Sequence, residues 1–331
     1  MSYWEGREVV CTGGAGFIAA NFVRLLLEEG VKVTVIDDFS RGRRENLPSW
    51  KEWKDKLKVI PCDLRGNSLA DLKHSFKNRI VFHLAASMGD IEFNRHNQLQ
   101  QANWNLQINS RAIETAKEAS PELFVFVSTA CVYGRTVPVP TPESCGEVCD
   151  PEPTNYGYGL AKWVGERQAM LLDAEGVPSR IVRFYNSIGK ADYYLSRPHV
   201  APALMHRVLR GDNPLIVWGS GEQTRSLVDA RDISKSLLIV AEKQTECCPV
   251  NIGHDREVSI GDLARKIVDM SGRKMDIEYD LTKPEGYKRR AADVTRFKVI
   301  SGGWAPDITL EQSLADMFDD YHHRKEQGIL T

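Results

Sequence analysis

The 331-residue sequence lacks any long hydrophobic run, and it nowhere approaches the ~18 consecutive apolar residues that a membrane-spanning helix requires. Its polar first residues lead directly into a predicted strand, so we expect no secretory signal, no membrane partner and a cytoplasmic location. The formal net charge of −2 comes without a basic stripe, which argues against nucleic acid as a partner. The remaining profile is that of a globular protein with one large domain or two modest ones.

Cysteine patterns typical of a disulfide framework or a zinc site are also missing. The seven cysteines are odd in number, and Cys145 with Cys149 or Cys247 with Cys248 do not have the spacing of metal ligands. We therefore expect reduced cysteines and no metal site. Cys131 differs from the others because it lies two residues after a predicted strand end, Ser128-Thr129.

Short β-branched runs alternate with helical patterns in the first half of the chain. Repeated strand–helix–strand units predict an α/β fold, a Rossmann-type doubly wound parallel sheet with helices on both faces. Ligands of such sheets bind at the carboxyl ends of the strands. The predicted strands span residues 8–12, 32–36, 57–61, 80–84 and 123–128, and predicted helices include residues 19–29 and 104–119.

A glycine-rich turn follows the first predicted strand and opens a helix. Gly13, Gly16 and Ala19 have the spacing Gly-x-x-Gly-x-x-Ala, which permits a tight turn and lets a pyrophosphate approach backbone N–H groups at the helix N-terminus. The second strand ends about twenty residues later at Asp37, whose carboxylate would accept hydrogen bonds from the ribose of NAD and repel the extra phosphate of NADP. The pattern predicts NAD, although the arginines at positions 41, 43 and 44 weaken this preference.

The sequence predicts two domains, one for the cofactor and one for the substrate. Residues 1–182 are predicted to form the NAD-binding domain. From about Arg183 onward, prolines divide the sequence into short elements. We expect residues 183–331 to form a smaller C-terminal α/β lobe that binds the substrate and is interleaved with the last strands of the sheet.

Tyr158 and Lys162 form a Tyr-x-x-x-Lys pair whose side chains share one helical face. An ammonium group beside a phenol favours the phenolate and lowers a pKa that is otherwise near 10. A phenolate can then take the proton from a sugar hydroxyl while hydride leaves the carbon. Together with the glycine motif and Ser128-Thr129, the pair predicts a dehydrogenase-type active site.

Ordered motifs along nearly the whole chain resemble the extended short-chain dehydrogenase/reductases, in their NAD-dependent sugar epimerase/dehydratase branch. The motifs that carry this resemblance are Gly13-Gly14-Ala15-Gly16-Phe17-Ile18, Asp63-Leu64, His83-Leu84-Ala85-Ala86, Ser128-Thr129-Ala130-Cys131-Val132-Tyr133-Gly134, Tyr158-x-x-x-Lys162, Arg183-Phe184-Tyr185-Asn186 and Gly219-Ser220-Gly221-Glu222-Gln223-Thr224-Arg225.

The resemblance implies a role for each matching position. It implies a homodimer formed through two helices per subunit, with Thr129 as hydrogen-bond partner of the reacting hydroxyl, Tyr158 as base and Lys162 as its activator. Asn186 and Arg225 would hold the diphosphate of a nucleotide-sugar substrate, and Arg289 is a further candidate. The implied cofactor-binding set is Gly13, Gly16, Phe17, Ile18, Asp37, Asp63, Leu64, Leu84, Ala85, Ala86, Ser128, Tyr158 and Lys162. The implied substrate-binding set is Met88, Gly89, Asn186, Trp218, Arg225 and Arg289.

The two residues after Thr129 help to choose the reaction. The 4,6-dehydratases have carboxyl groups there, whereas this chain has Ala130 and Cys131, and alanine cannot supply the proton that water elimination needs. The Ala-Cys pair and the segment around Met88 instead resemble the GDP-mannose 3,5-epimerases. A thiol beside a 4-keto sugar can exchange protons at C3 or C5, because thiol pKa values near 8.5 are readily lowered by cations. A buried packing thiol is the alternative.

One position departs from the epimerase pattern. The lysine that serves those epimerases as second acid/base is replaced by Val200, and His199 precedes it. His199 can take the lysine's place because imidazole titrates near neutral pH, or it can contact substrate or lie at the surface. We therefore predict a nucleotide-sugar epimerase that inverts C3 and/or C5 of a GDP-linked hexose or heptose. The alternatives are a UDP-sugar 4-epimerase or, less favoured, a dehydratase or net oxidoreductase.

Overall fold

The computed structural model describes residues 2–66, 69–195 and 198–330. Its strands are β1 (Glu8–Thr12), β2 (Lys32–Asp37), β3 (Leu57–Pro61), β4 (Ile80–His83), β5 (Leu123–Thr129), β6 (Ser179–Phe184), β7 (Asn186–Ile188), β8 (Leu215–Trp218), β9 (Thr224–Arg225), β10 (Leu227–Asp229), β11 (Pro249–Ile252), β12 (Val258–Ser259), β13 (Ile277–Asp280) and β14 (Arg289–Arg290). Its α-helices are α1 (Phe17–Glu28), α2 (Trp50–Trp53), α3 (Leu69–Phe76), α4 (Ile91–His96), α5 (Gln98–Ala119), α6 (Tyr156–Ala174), α7 (Val200–Arg210), α8 (Ala230–Lys243), α9 (Ile260–Met270), α10 (Thr295–Ser301) and α11 (Leu310–Glu326).

A seven-stranded sheet forms the centre of the described chain, in the order β11-β6-β5-β4-β1-β2-β3. Every neighbouring pair in it is parallel. The interior strand β5 is buried along its whole length, which explains its continuous apolar run, since a parallel sheet is covered on both faces. The predicted doubly wound α/β fold is confirmed.

Helices cover both faces of this sheet. One apolar cluster includes residues of α1 and α8, and a second includes residues of α3, α5 and α6. In the first cluster the ring of Phe22 on α1 lies edge-on to Phe82 on β4, with centroids 4.6 Å apart. Burying each such ring contributes roughly 1.5–3 kcal/mol, so these two layers fix the positions of the strand ends.

The second half of the chain builds smaller sheets and a separate apolar cluster. β8 pairs with β13, β7 pairs with β10, and β9 lies between β12 and β14. Helices α7, α9 and α11 contribute to a cluster centred on Leu204, Leu263 and Met317. The strand β11 returns to the main sheet beside β6. The substrate-side elements therefore adjoin the carboxyl ends of the central strands.

Two helices begin earlier than predicted. The first begins at Phe17 because the glycine turn ends at Gly16, which has extended backbone and precedes the helix. The fifth begins at Gln98 rather than near residue 104. Among the residues that the structure describes, no helix is both long enough and apolar enough to cross a membrane.

Candidate active site

The glycine turn between β1 and α1 lies against the end of β4. Gly13 has φ +66°, and a Cβ placed on it would lie only 2.7 Å from Cα of Ala85. No side chain caps the start of α1, and Gly16, Phe17 and Ile18 at this end of the helix line a cleft. This arrangement suits a pyrophosphate, because N–H groups at a helix N-terminus attract anions.

Asp37 at the end of β2 connects the turn to the next strand. Its carboxylate accepts hydrogen bonds from the backbone N–H of Ala15 at 2.9 Å and of Phe39 at 2.8 Å. Burial is the main cause that raises its pKa, opposed by these two N–H donors. Each carboxylate oxygen retains a further lone pair, so Asp37 can both hold the turn and accept a ribose hydroxyl.

A cavity of about 670 Å³ extends from the glycine turn over the ends of β2, β3 and β4. Asp63 and Leu64 line it, as do Ala85 and Ala86, so the structure brings this part of the predicted set together. Sequence reasoning missed Trp104 on α5, which also lines this cavity. The guanidinium of Arg65 lies 4.9 Å from the Trp104 ring centroid and also contacts Asp63 at 2.9 Å.

A second cavity of about 890 Å³ shares Gly13 and Gly16 with the first. It lies between the main sheet and the second half of the chain. It is lined by most of the predicted catalytic and substrate residues, namely Met88, Gly89, Ser128, Thr129, Cys131, Tyr158, Lys162, Asn186, His199, Trp218 and Arg225. The two cavities together have the arrangement of a dinucleotide site that continues into a substrate site.

Tyr158 and Lys162 are both buried on α6. The Lys162 ammonium donates a hydrogen bond to the carbonyl of Val127 at 2.8 Å, and burial lowers its pKa to about 7 although Glu166 opposes the change. Burial raises the pKa of Tyr158, while a hydrogen bond with Thr129 lowers it. We predicted that Lys162 lowers the pKa of Tyr158. In the protein without cofactor the pKa of Tyr158 is instead raised, because burial is the largest effect at both groups.

Close helix packing positions this pair. A Cβ on Gly159 would collide with the carbonyl of Cys131, and one on Gly157 would collide with the carbonyl of Gln98. The two glycines flank Tyr158 and let α6 approach both the end of β5 and helix α5. Ser128 on β5, one residue before Thr129, donates a hydrogen bond at 2.5 Å to the carboxylate of Glu166 on α6.

Cys131 lies in a short 3₁₀ turn after β5, where it is 3% exposed. Burial and the charge of Glu152 raise its pKa to about 11, although Arg290 lowers it. We predicted a thiol whose pKa is lowered by nearby cations, but in the structure the surroundings of Cys131 raise its pKa instead. The sequence could not reveal the buried carboxylate that lies beside it.

His199 immediately precedes α7 and also lines the second cavity. Its Nδ1 lies 2.9 and 3.1 Å from the carboxylate oxygens of the buried Asp192. This carboxylate is the main cause that raises the His199 pKa, against the effect of burial. The carboxylate therefore favours the protonated imidazole, and sequence reasoning missed this partner.

Arg225 brings a buried positive charge to the second cavity. The Arg225 guanidinium donates to the carbonyls of Thr224, Tyr287 and Glu285 at 2.7, 2.8 and 3.1 Å. Burial is the main cause that lowers its pKa to about 10, and Arg290 adds to the effect. These neutral acceptors orient the guanidinium without cancelling its charge, which suits a phosphate group.

The two neighbouring arginines of β14 lie on opposite sides of the strand, and only one of them lines the cavity. Arg289 is outside the cavity, where it pairs with Glu257 at 2.5 Å. Arg290 lies in the cavity, contacts Glu152 and reaches Cys131 with Nη1 at 3.9 Å from Sγ. The structure therefore does not bring the predicted Arg289 to the site. Strand alternation explains the exchange, because consecutive side chains point to opposite faces.

The doubly wound fold and the glycine turn with Asp37 are those of an NAD-binding protein, and Tyr158 and Lys162 line the adjoining cavity. A family model, the NAD dependent epimerase/dehydratase family, matches residues 9–253, and the chain belongs to that family. NAD is its cofactor, and the glycine turn and Asp37 fit that group.

Relatives and solved structures agree with this assignment. GDP-L-fucose synthase 1 of Arabidopsis thaliana is 29% identical over 96% of this chain and 94% of its own. A putative UDP-glucose 4-epimerase of Methanocaldococcus jannaschii is 28% identical over 92% of this chain and 95% of its own. The crystal structure of the Thermotoga maritima UDP-glucose 4-epimerase with UDP-glucose has a TM-score of 0.84 at 25% identity, covering 96% and 99% of the chains.

Proposed function

We propose that the protein is a nucleotide-sugar epimerase that oxidises C4 of its sugar transiently and returns the hydride after inversion. The observation that carries the proposal is that Thr129, Tyr158 and Lys162 line one cavity, with Tyr158 one helical turn from the buried Lys162 on α6. Thr129 would orient the C4 hydroxyl and Tyr158 would take its proton. Bound NAD supplies a hydride acceptor and a positive charge that favours the Tyr158 phenolate.

The inversion is proposed at C3 and/or C5 of a GDP-linked hexose or heptose. A C4 ketone makes the protons on both neighbouring carbons acidic, and Cys131 and His199 line the cavity that holds the ring. Cys131 would exchange the proton on one side. His199, whose protonated form Asp192 favours, would supply a proton as the second acid/base in place of the missing lysine.

The substrate is proposed to extend from Met88 and Gly89 towards Arg225 and Trp218. Asn186, Arg225 and Arg290 would hold the diphosphate, with Arg290 taking the part first given to Arg289, and Trp218 would lie against the base. The likeness around Met88 and Cys131 and the GDP-L-fucose synthase relative favour a GDP-sugar.

A cytoplasmic homodimer through α5 and α6 remains part of the proposal. These helices pack on each other and expose large apolar side chains. The exposed residues are Leu99, Tyr156 and Leu171.

The first test is spectroscopic. Enzyme purified with its NAD is mixed with GDP-, UDP- and dTDP-sugars, and the NADH absorbance is followed. An epimerase forms enzyme-bound NADH transiently and releases none, because the hydride returns to the sugar. Stoichiometric release of NADH would contradict the proposal and indicate a net oxidoreductase.

A UDP-sugar 4-epimerase is the second candidate, and the relatives of that name favour it. C4 inversion needs Thr129, Tyr158, Lys162 and room for the keto sugar to turn. Cys131→Ala distinguishes the candidates: it should abolish inversion at C3 or C5 but spare C4 oxidation. Full epimerase activity in Cys131→Ala would favour the 4-epimerase. The matched control is Cys62→Ala, which removes a buried thiol that lines only the first cavity.

A further inference from the structure

The surroundings of Cys131 include a carboxylate that the proposed reaction does not yet use. Glu152 lies just before α6, is 3% exposed and lines the same cavity. Its carboxylate pairs with Arg290 and accepts a hydrogen bond from Asn155 at 2.9 Å, while its backbone N–H donates to the carbonyl of Cys131 at 3.0 Å. Two donors fix this carboxylate in place, and its charge acts on the Cys131 thiol.

Arg290 serves both acidic groups of this cluster. One guanidinium nitrogen, Nη2, contacts Glu152, and the other, Nη1, lies 3.9 Å from Sγ of Cys131. Because guanidinium does not lose its proton in proteins, the cluster holds one permanent positive charge. With an ionised Glu152 and a neutral Cys131 thiol, the net charge of the cluster is zero. The sulfur and the carboxylate then share a single acidic proton between them.

Two asparagines connect Glu152 to the predicted substrate segment. Asn155 accepts a hydrogen bond from Asn94 at 2.8 Å. The Asn94 amide in turn accepts from the N–H of Gly89 at 2.9 Å and donates to its carbonyl at 3.1 Å. The buried polar chain therefore holds the carboxylate and the Gly89 backbone in a fixed relation, so a ligand held at Gly89 has a defined position relative to the thiol.

Resting on the proposed function, we propose that Glu152 is the proton partner of Cys131 and that the two act as one acid–base unit in ring proton exchange. Sulfur takes the proton from carbon while the thiol hydrogen passes to the carboxylate. A C–H and an S–H bond break, a new S–H and an O–H bond form, and the electron pair stays on the carbon beside the ketone. The reverse step returns a proton to carbon. Glu152 is thus a positioning residue that acts through Cys131.

The charges around the unit support this resting state. Besides each other, the two groups face Arg290, Arg225 and the hydroxyls of Tyr158 and Tyr287. Burial raises the pKa of Glu152, but the arginine and the hydrogen bonds outweigh it and lower the pKa overall. Burial and Glu152 raise that of Cys131 to about 11. Near neutral pH the carboxylate is therefore ionised and the thiol protonated, as the relay requires.

The first test titrates the thiol without any substrate. The ultraviolet absorbance of thiolate is measured against pH as the difference between NAD-loaded enzyme and its Cys131→Ser counterpart. Glu152→Gln leaves Arg290 as the charge beside sulfur, so its thiol midpoint should fall by at least about one pH unit. Glu152→Asp keeps the charge and should retain the high midpoint. An unchanged or higher midpoint in Glu152→Gln would overturn the proposal.

A control variant and the NAD content guard against a general structural effect. Glu257→Gln removes the carboxylate that pairs with Arg289, outside the cavity, and should leave the Cys131 midpoint unchanged. Each variant should retain bound NAD. If Glu257→Gln shifted the midpoint as far as Glu152→Gln, the effect would not come from the thiol–carboxylate pair and the proposal would fail.

The second test follows deuterium uptake from D2O into GDP-mannose against pH. Tyr158, Lys162 and His199 give the same pH dependence to both enzymes, so the ratio of the Glu152→Gln rate to the wild-type rate isolates the thiol. This ratio should rise about tenfold per pH unit up to the thiol midpoint of the variant, since its sulfur must ionise first whereas that of the wild type need not. A ratio that does not change with pH would overturn the relay. No exchange in the wild type with any sugar would contradict the proposed function, and the substrate-free titration would still decide the proton partnership.

Discussion

A single methyl group at Gly13 should damage the cofactor cleft more than the same change at another left-handed glycine. Gly13 has φ +66°, and an added Cβ would lie 2.7 Å from Cα and 2.8 Å from N of Ala85. Both neighbours are backbone atoms at the end of the central sheet, so they cannot rotate away as a side chain can. Gly6 has φ +77° with no atom within 4 Å of its added Cβ, which makes it a matched control.

The loss of unfolding free energy expected in each variant follows from two destabilising effects. A left-handed alanine costs about 1–2 kcal/mol, and this cost applies to both variants. Forcing a methyl group into packed structure costs roughly 1–3 kcal/mol more, and it applies only at Gly13. The gain from a stiffer unfolded chain is common to both and cancels. Gly13→Ala should therefore lose about 2–5 kcal/mol of unfolding free energy, and Gly6→Ala about 1–2 kcal/mol.

Urea unfolding of the NAD-free proteins measures this difference, and the NAD content after purification measures the cleft. We expect Gly13→Ala to unfold at lower urea than Gly6→Ala and to lose its NAD, because the N–H groups of the turn must move. Gly6→Ala should keep NAD. If the two variants were equally stable and both retained NAD, the close approach to Ala85 would not be what requires glycine.

Three further predictions concern the catalytic groups. Tyr158→Phe should lower sugar-dependent NADH formation by at least about 10²-fold while bound NAD is retained; wild-type NADH formation would contradict the role of the hydroxyl. Asp192→Asn should lower the pKa of His199, which an NMR titration of the imidazole measures; an unchanged midpoint would mean that the carboxylate does not control it. Lys162 has a pKa of about 7 in the fold but about 10.4 unfolded, so raising the pH between these values favours the folded state. In NAD-free protein the wild type should therefore gain stability over Lys162→Met across this range in urea unfolding, and a constant difference would refute the lowered pKa.

The sequence predicted the frame of the protein closely. The five strands expected in the first half end within one residue of the observed ones, because buried parallel strands are continuous apolar runs bounded by polar residues. Gly13 and Gly16 are fixed by local turn geometry, and Asp37 reaches them because β1 and β2 are adjacent parallel strands that end at the same edge of the sheet. Such features follow from short-range patterns and from the regular order of a parallel sheet, so they can be predicted from the sequence.

The features that sequence missed depend on distant neighbours. Glu152 pairs with Arg290, which is 138 positions away in the sequence, so no local sequence pattern predicts the pair. The choice between Arg289 and Arg290 depends on the register of a two-residue strand. Burial of the tyrosine and the cysteine, which reverses their expected pKa changes, is a property of the packed molecule. The Pro-Glu-Pro sequence around Glu152, just before the catalytic helix, was the one available signal.

Proton NMR of the purified enzyme in D2O with GDP-, UDP- and dTDP-sugars tests the central claim most directly. The account predicts an inverted sugar that carries deuterium at C3 or C5, with no net loss of NAD and no label in Cys131→Ala. Inversion without deuterium would contradict carbon-acid epimerisation and identify a 4-epimerase, in which Cys131 is a packing residue.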